Sequence, residues 1–180
     1  MRPPRLPLTL LLSLALAGCQ GGEGTWRDPS ARPDPGNPAP AFEATSLAGE
    51  SISLASLRGS PVLLNLWATW CTPCRKETPY LQRLHERFGG RGLKVVGVSV
   101  DSRAAREDVD DFVAEFGVTY AILHDPQMAS MDVFRVLGLP ATYLIGSDGV
   151  IRWKRMGEVR EGDAEFERVL EELVAEAEAP

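Results

Sequence analysis

Hydrophobic and polar positions divide the chain into three stretches. Leu6 to Ala17 is mostly apolar, Gln20 to about Pro40 has few apolar side chains, and from Phe42 onward apolar positions recur with strand and helix periods. In that third stretch "FEATSLAGESISL" alternates Ile52 and Leu54 with serines, which predicts two short strands joined by a turn at Ala48-Gly49. "PVLLNLWA" (61–68) is a short apolar run suited to a strand buried on both faces. A helix follows from about Thr72 to Phe88, since Leu81, Leu84 and Phe88 fall on one face and Gly89-Gly90 stops it. "LKVVGVSV" (93–100) reads as a second buried strand. Val109, Phe112, Val113 and Phe116 then give a helix ended by Gly117. Ala121 to Leu123 reads as a short edge strand, Met128 to Val136 as a short helix, and "ATYLI" with "VIRWKR" as a hairpin turned at "SDG". Phe166, Val169, Leu170, Leu173 and Val174 mark a last amphipathic helix, whose acidic residues form its solvated face. Strands interleaved with helices in this order predict one three-layer α/β domain over 39–178, with a mixed sheet and an N-terminal hairpin.

Length and charge narrow the function classes. The 180 residues are enough for one domain with its own core. Lys and Arg total 19 against 25 Asp and Glu, a net charge of -6, so no basic field is present to gather phosphate backbones. Nucleic acid is excluded as the expected partner.

The first stretch is an export signal. Arg2 and Arg5 form a positive n-region ahead of the apolar run, and Leu16-Ala17-Gly18 is a small-residue cleavage context. The run is too short to span a membrane comfortably. "LAGC" resembles the bacterial lipobox, which implies cleavage after residue 18 and a lipid on Cys19. Residues 19–38, dense in Gly and Pro, then read as a semi-rigid tether on that anchor. Trp26 is the one large apolar residue within it, and reads as a surface aromatic.

That assignment leaves Cys71 and Cys74, in "ATWCTPCRKETP", as an isolated pair. Zinc needs about four ligands. Only His85 and His124 are available, and His85 lies about three turns down the same helix. A Cu(I) site using Cys71, Cys74 and His124 remains as a binding alternative. A structural disulfide here would close too small a loop to constrain the unfolded chain much. Thiol–disulfide exchange suits the spacing better. Cys71, where a buried strand turns into a helix, lies near the positive end of the helix dipole, which favours its thiolate, and Cys74 is one turn on.

At this point the chain resembles the thioredoxin superfamily, and more closely its extracytoplasmic TlpA/ResA-like branch, related to the AhpC/TSA and redoxin families. The resemblance covers nearly all of residues 39–175. It rests on "PAPAFEATSLAGESISLASLRGSPV", "LLNLWATWCTPCRKETP", "KVVGVSVD" and "FRVLGLPATYLIGSDGVI". It implies a thioredoxin-like fold, Cys71 and Cys74 as the redox pair, no cofactor, and a cis peptide bond at Leu139-Pro140 that presents backbone to a client. Asn65 replaces the buried acid that cytoplasmic thioredoxins carry on the preceding strand. Glu77 holds the place of a glutamate characteristic of the branch. A role in tuning the thiols stands there beside the plainer one of an acid in the first helical turn. Trp67 and Trp70 are expected to pack around the motif, with Trp70 shielding Cys71, and Arg75 and Lys76 to be solvated.

The implied activity is reduction of client disulfides on the extracytoplasmic face of a bacterial membrane. Apocytochrome c is the implied client and a membrane thiol-electron transporter of the DsbD/CcdA type the implied donor. A dithiol oxidase or isomerase is the alternative within the enzyme class. A peroxiredoxin is disfavoured, because Trp67 stands where that group has a threonine four residues before its cysteine.

Overall fold

The computed structural model describes residues 32–178, so the expected export signal, Cys19, Trp26 and most of the expected tether lie outside the described residues. In chain order the elements are β1 (Glu43–Ser46), β2 (Ser51–Ser53), β3 (Val62–Trp67), α1 (Thr72–Phe88), β4 (Lys94–Ser99), α2 (Arg106–Glu115), β5 (Ala121–His124), α3 (Ala129–Val133), β6 (Ala141–Ile145), β7 (Ile151–Met156) and α4 (Ala164–Glu178). The strands form one seven-stranded sheet in the order β2-β1-β5-β4-β3-β6-β7. β3, β4 and β5 are parallel, and the remaining pairings are antiparallel. This is the mixed α/β arrangement that the interleaved pattern predicts and the thioredoxin-like one that the resemblance implies.

Alternation along β3 explains why its run is continuously apolar. Leu63 and Trp67 join a core built with Leu81 and Leu84 of α1, Phe112 of α2 and Phe166 and Leu170 of α4. Val62, Leu64 and Leu66 point the other way, to Phe42, Phe134 and Val136. Both faces are covered, so no position on the strand can be polar without a buried partner. Asn65 is the exception and has two. A register shift between Leu144 and Ile145 lets β7 bury both Ile151 and Trp153, one on each side of the sheet.

Two expected elements differ. Ala121–His124 is an inner strand rather than an edge, because β1 pairs with it through Thr45↔His124 and Ser46↔Leu123. The N-terminal hairpin thus moves the sheet edge outward to β2. The helix expected over Met128–Val136 closes after one turn at Val133. Met128 at φ 56 and Arg135 at φ 51 are left-handed and bound it on either side. α1 ends at Phe88 as expected: Gly89 caps it while still right-handed, and a separate tight turn leads on to Gly92, φ 96.

Residues ahead of β1 lie along β7. Pro38 bridges Val150, Gly36 N–H donates to the Ile151 carbonyl at 2.8 Å, and Lys154 pairs with Asp34. Among the described residues no helix is long and apolar enough to cross a membrane.

Candidate active site

β3 ends at Trp67, and four residues later Cys71 caps α1 with extended backbone. Cys71 N–H closes a turn on the Ala68 carbonyl at 3.1 Å. Pro73 in the first helical turn has no N–H to leave unsatisfied there. Cys71 and Cys74 are joined as a disulfide with Cα atoms 5.2 Å apart. Cys71 retains 5% of its surface and Cys74 none, so attack from solvent has access to the first sulfur only. The Cys74 N–H donates to Cys71 Sγ at 3.3 Å. That N–H is a first-turn donor with no partner inside the helix, and together with the dipole it favours negative charge on the same sulfur.

Beneath the pair, Glu77 is 2% exposed. One carboxylate oxygen accepts from Asn65 Nδ2 at 2.7 Å and the other from the Val159 N–H at 2.7 Å. Asn65 uses its second amide hydrogen on Thr142 Oγ1 at 2.9 Å, which ties β3, β6 and α1 together under the disulfide. Burial pushes the Glu77 carboxyl up to about 7, with a further push from the charge of Glu158, against the two hydrogen bonds that favour ionisation. A buried acid poised near neutrality is able to exchange a proton at the pH where thiols act. Leu139-Pro140 is cis. The β3–β6 ladder closes at Leu66↔Ala141, so Pro140 leads into β6 at the sheet end where β3 hands over to the cysteines.

The model of the AhpC/TSA family matches residues 35–154. The chain belongs to the AhpC/TSA family. Within it, the chain is 31% identical over 161 residues to the thiol-disulfide oxidoreductase ResA of Bacillus thuringiensis, covering 88% of this chain and 91% of that one. Among solved structures it is similar to the thioredoxin domain of a thiol-disulfide oxidoreductase from Bacteroides vulgatus, with TM-score 0.66, 30% identity, 78% of this chain and 98% of that one. It is also similar to a secreted Mycobacterium tuberculosis disulfide oxidoreductase described as homologous to Escherichia coli DsbE, with TM-score 0.63, 26% identity, 72% of this chain and 95% of that one. This AhpC/TSA member is a TlpA/ResA-like thiol–disulfide oxidoreductase of the thioredoxin superfamily.

Other expected site residues are placed as follows. Trp67 is buried and stacks on Phe112 with ring centroids 4.3 Å apart. Trp70 does not pack around the motif but is 71% exposed, because Thr69 ahead of it is pinned inward and the next side chain is turned out. Lys76 is exposed, as expected. Arg75 is not simply solvated: it grips Glu115 through both carboxylate oxygens, at 2.5 and 2.7 Å, and lies over the rings of Phe112 and Phe116. Its planar guanidinium finds a carboxylate and two aromatic faces on α2, which a linear reading of α1 cannot supply.

His124 is not brought to the cysteines. Its Nε2 lies 3.0 Å from the Asp101 carbonyl, which can only accept, so that nitrogen carries the proton. Among the described residues no group of three His, Cys, Asp or Glu side chains could hold a metal. Val159 and the buried Asp101, with Thr69 and Ser99, are the site residues that the sequence pattern did not single out. The one available signal was an acid directly after the buried run "KVVGVSV".

Proposed function

We propose that this protein is held by a lipid on Cys19 at the extracytoplasmic face of a bacterial membrane, where it reduces disulfides of particular client proteins. Cys71 is the nucleophile and Cys74 the resolving thiol. The observation that carries the assignment is the asymmetry of the pair: Cys71 alone has surface, and it caps a helix whose N–H points at its sulfur.

The cycle balances on sulfur alone. Cys71 thiolate attacks one client sulfur, forming a mixed disulfide and expelling the other client sulfur as thiolate. Cys74 thiolate then attacks Cys71 Sγ and releases the second client thiolate, leaving the Cys71–Cys74 disulfide. Two electrons have passed to the client, and a thiol donor in the membrane, of the DsbD/CcdA type, must return them. Apocytochrome c, which must be dithiol before haem attachment, is the client class this reading favours. Leu139 and Pro140 offer it backbone, and the exposed Trp70 an apolar contact. Glu77 takes and returns the thiol proton.

Direction is tested by equilibrating the protein in glutathione buffers. A strongly reducing potential, in the region of thioredoxin's (about −270 mV), is expected; a value near about −120 mV would make it an oxidant instead.

The anchor is tested separately, by mass spectrometry of the mature protein from bacterial membranes. A diacylglyceryl group on an N-terminal Cys19 is expected. An unmodified Cys19 inside a longer mature chain would remove the lipid and the tether together.

A further inference from the structure

Asp101 follows β4 and Val100, and it is 1% exposed. Its carboxylate reaches across to the segment that carries the nucleophile. Oδ2 accepts from the Thr69 N–H at 3.0 Å and Oδ1 from the Thr69 hydroxyl at 2.8 Å. Ser99 Oγ donates to Oδ2 at 2.8 Å, and Ser99 Oγ in turn accepts from the Asp101 N–H at 3.2 Å. The backbone is braced from behind: Val100 N–H donates to the Trp67 carbonyl at 3.0 Å, and His124 Nε2 donates to the Asp101 carbonyl at 3.0 Å.

Burying a carboxylate is expensive, and an apolar residue at the end of β4 would suit the core better. What the acid obtains is a hold on the backbone and side chain of one residue, two positions before Cys71. Between the last paired residue of β3 and the cap of α1, the chain is otherwise tied by the Val100–Trp67 bond and the Cys71–Ala68 turn. Attack on a disulfide requires the incoming sulfur in line with the bond it breaks, so a nucleophile on a loose connection loses rate steeply.

We propose that Asp101 is a positioning residue of the redox centre, acting through Thr69 to fix Cys71 at the mouth of α1. The inference rests on the assignment of Cys71 as nucleophile. Geometry, not charge, is the operative property, because Asn in that place can accept from the Thr69 N–H while its amide donates to a reversed Thr69 hydroxyl.

The test uses the full chain with Cys74→Ala, following iodoacetamide reaction at Cys71 by peptide mass spectrometry, with near-UV circular dichroism to establish a native fold. Asp101→Ala is expected to slow Cys71 by about tenfold or more, and Thr69→Ala by a smaller factor. Asp101→Asn and Thr69→Ser are expected to restore the rate to within about threefold, a pattern that loss of stability alone would not produce. Should Asp101→Ala not fold, Thr69→Ala against Thr69→Ser carries the same comparison. A native Asp101→Ala that reacts at the parent rate overturns the inference, as does Asp101→Asn as slow as Asp101→Ala. If the parent Cys71 itself reacts no faster than free cysteine, the assignment of the nucleophile fails instead, and the two failures are distinguishable.

Discussion

Expressed in its own envelope, the Cys74→Ala variant is expected to accumulate mixed disulfides with its clients. Cys71 keeps its cap position and surface, so it still attacks, but the thiol that would expel the product has been removed. Non-reducing electrophoresis should show higher-mass bands that collapse on reduction, and the Cys71→Ala/Cys74→Ala double variant should show none. The effect is close to all-or-none: without an internal resolving thiol, release waits for an external one. The trapped bands would also name the clients. Bands that persist when Cys71 is also removed, or trapping by Cys71→Ala alone, would reverse the roles of the two cysteines. Full burial of Cys74 argues against the second outcome.

The second large effect is on pH-dependent stability at Glu77. Its folded carboxyl titrates at about 7 against an ordinary 4.5. Between those values the folded state holds a proton that the unfolded chain has already released. Stability is therefore present in full below the unfolded value, declines as pH rises, and is lost through about 7. The difference amounts to about 3 kcal/mol at most. Glu77→Gln has the shape of the protonated acid and cannot ionise, so this loss should vanish. Denaturant midpoints of the oxidised protein from pH 5 to 8 should fall in the parent relative to the variant, with the two nearest one another at the acid end. Parallel curves would mean that Glu77 is ionised throughout, held so by the Asn65 amide and the Val159 N–H; the plainer reading of an acid in the first helical turn does not apply, because Glu77 lies beyond the first turn of α1. In the reduced protein the same substitution should move alkylation of Cys71 toward lower pH, because a nearby carboxylate opposes a thiolate.

Much of this was legible because it is local. Helix ends and the hairpin turn follow from the residues that make them: Pro73 inside the first turn of α1, Gly117 at φ 60 after α2, and Gly149 at φ 82 in the "SDG" turn between β6 and β7. Buried strands announce themselves because a strand covered on both faces tolerates no water-seeking side chain. The third helix did not obey its pattern. The helix expected to run to Val136 stops at Val133, because Arg135 turns left-handed so that Phe134 and Val136 can both enter the core. Packing overrode a weak local preference.

The site divides along the same line. The cysteine pair, its place at a strand–helix junction, the order of strands and helices and the acid at Glu77 are properties of short stretches, set by spacing of a few residues, and the sequence alone determined them. The covering of β5 by β1, the grip of Arg75 on Glu115, the Val159 N–H that meets Glu77 and the hold of Asp101 on Thr69 join residues 32 to 82 positions apart or pair strands distant in the chain. Hydrogen bonds and ion pairs depend on distances of about 3 Å and on direction. A linear pattern carries polarity and period but not which two distant polar groups will meet. That was decided only when β3, β4 and β6 came side by side in the middle of the sheet, with these strand ends at one end of it.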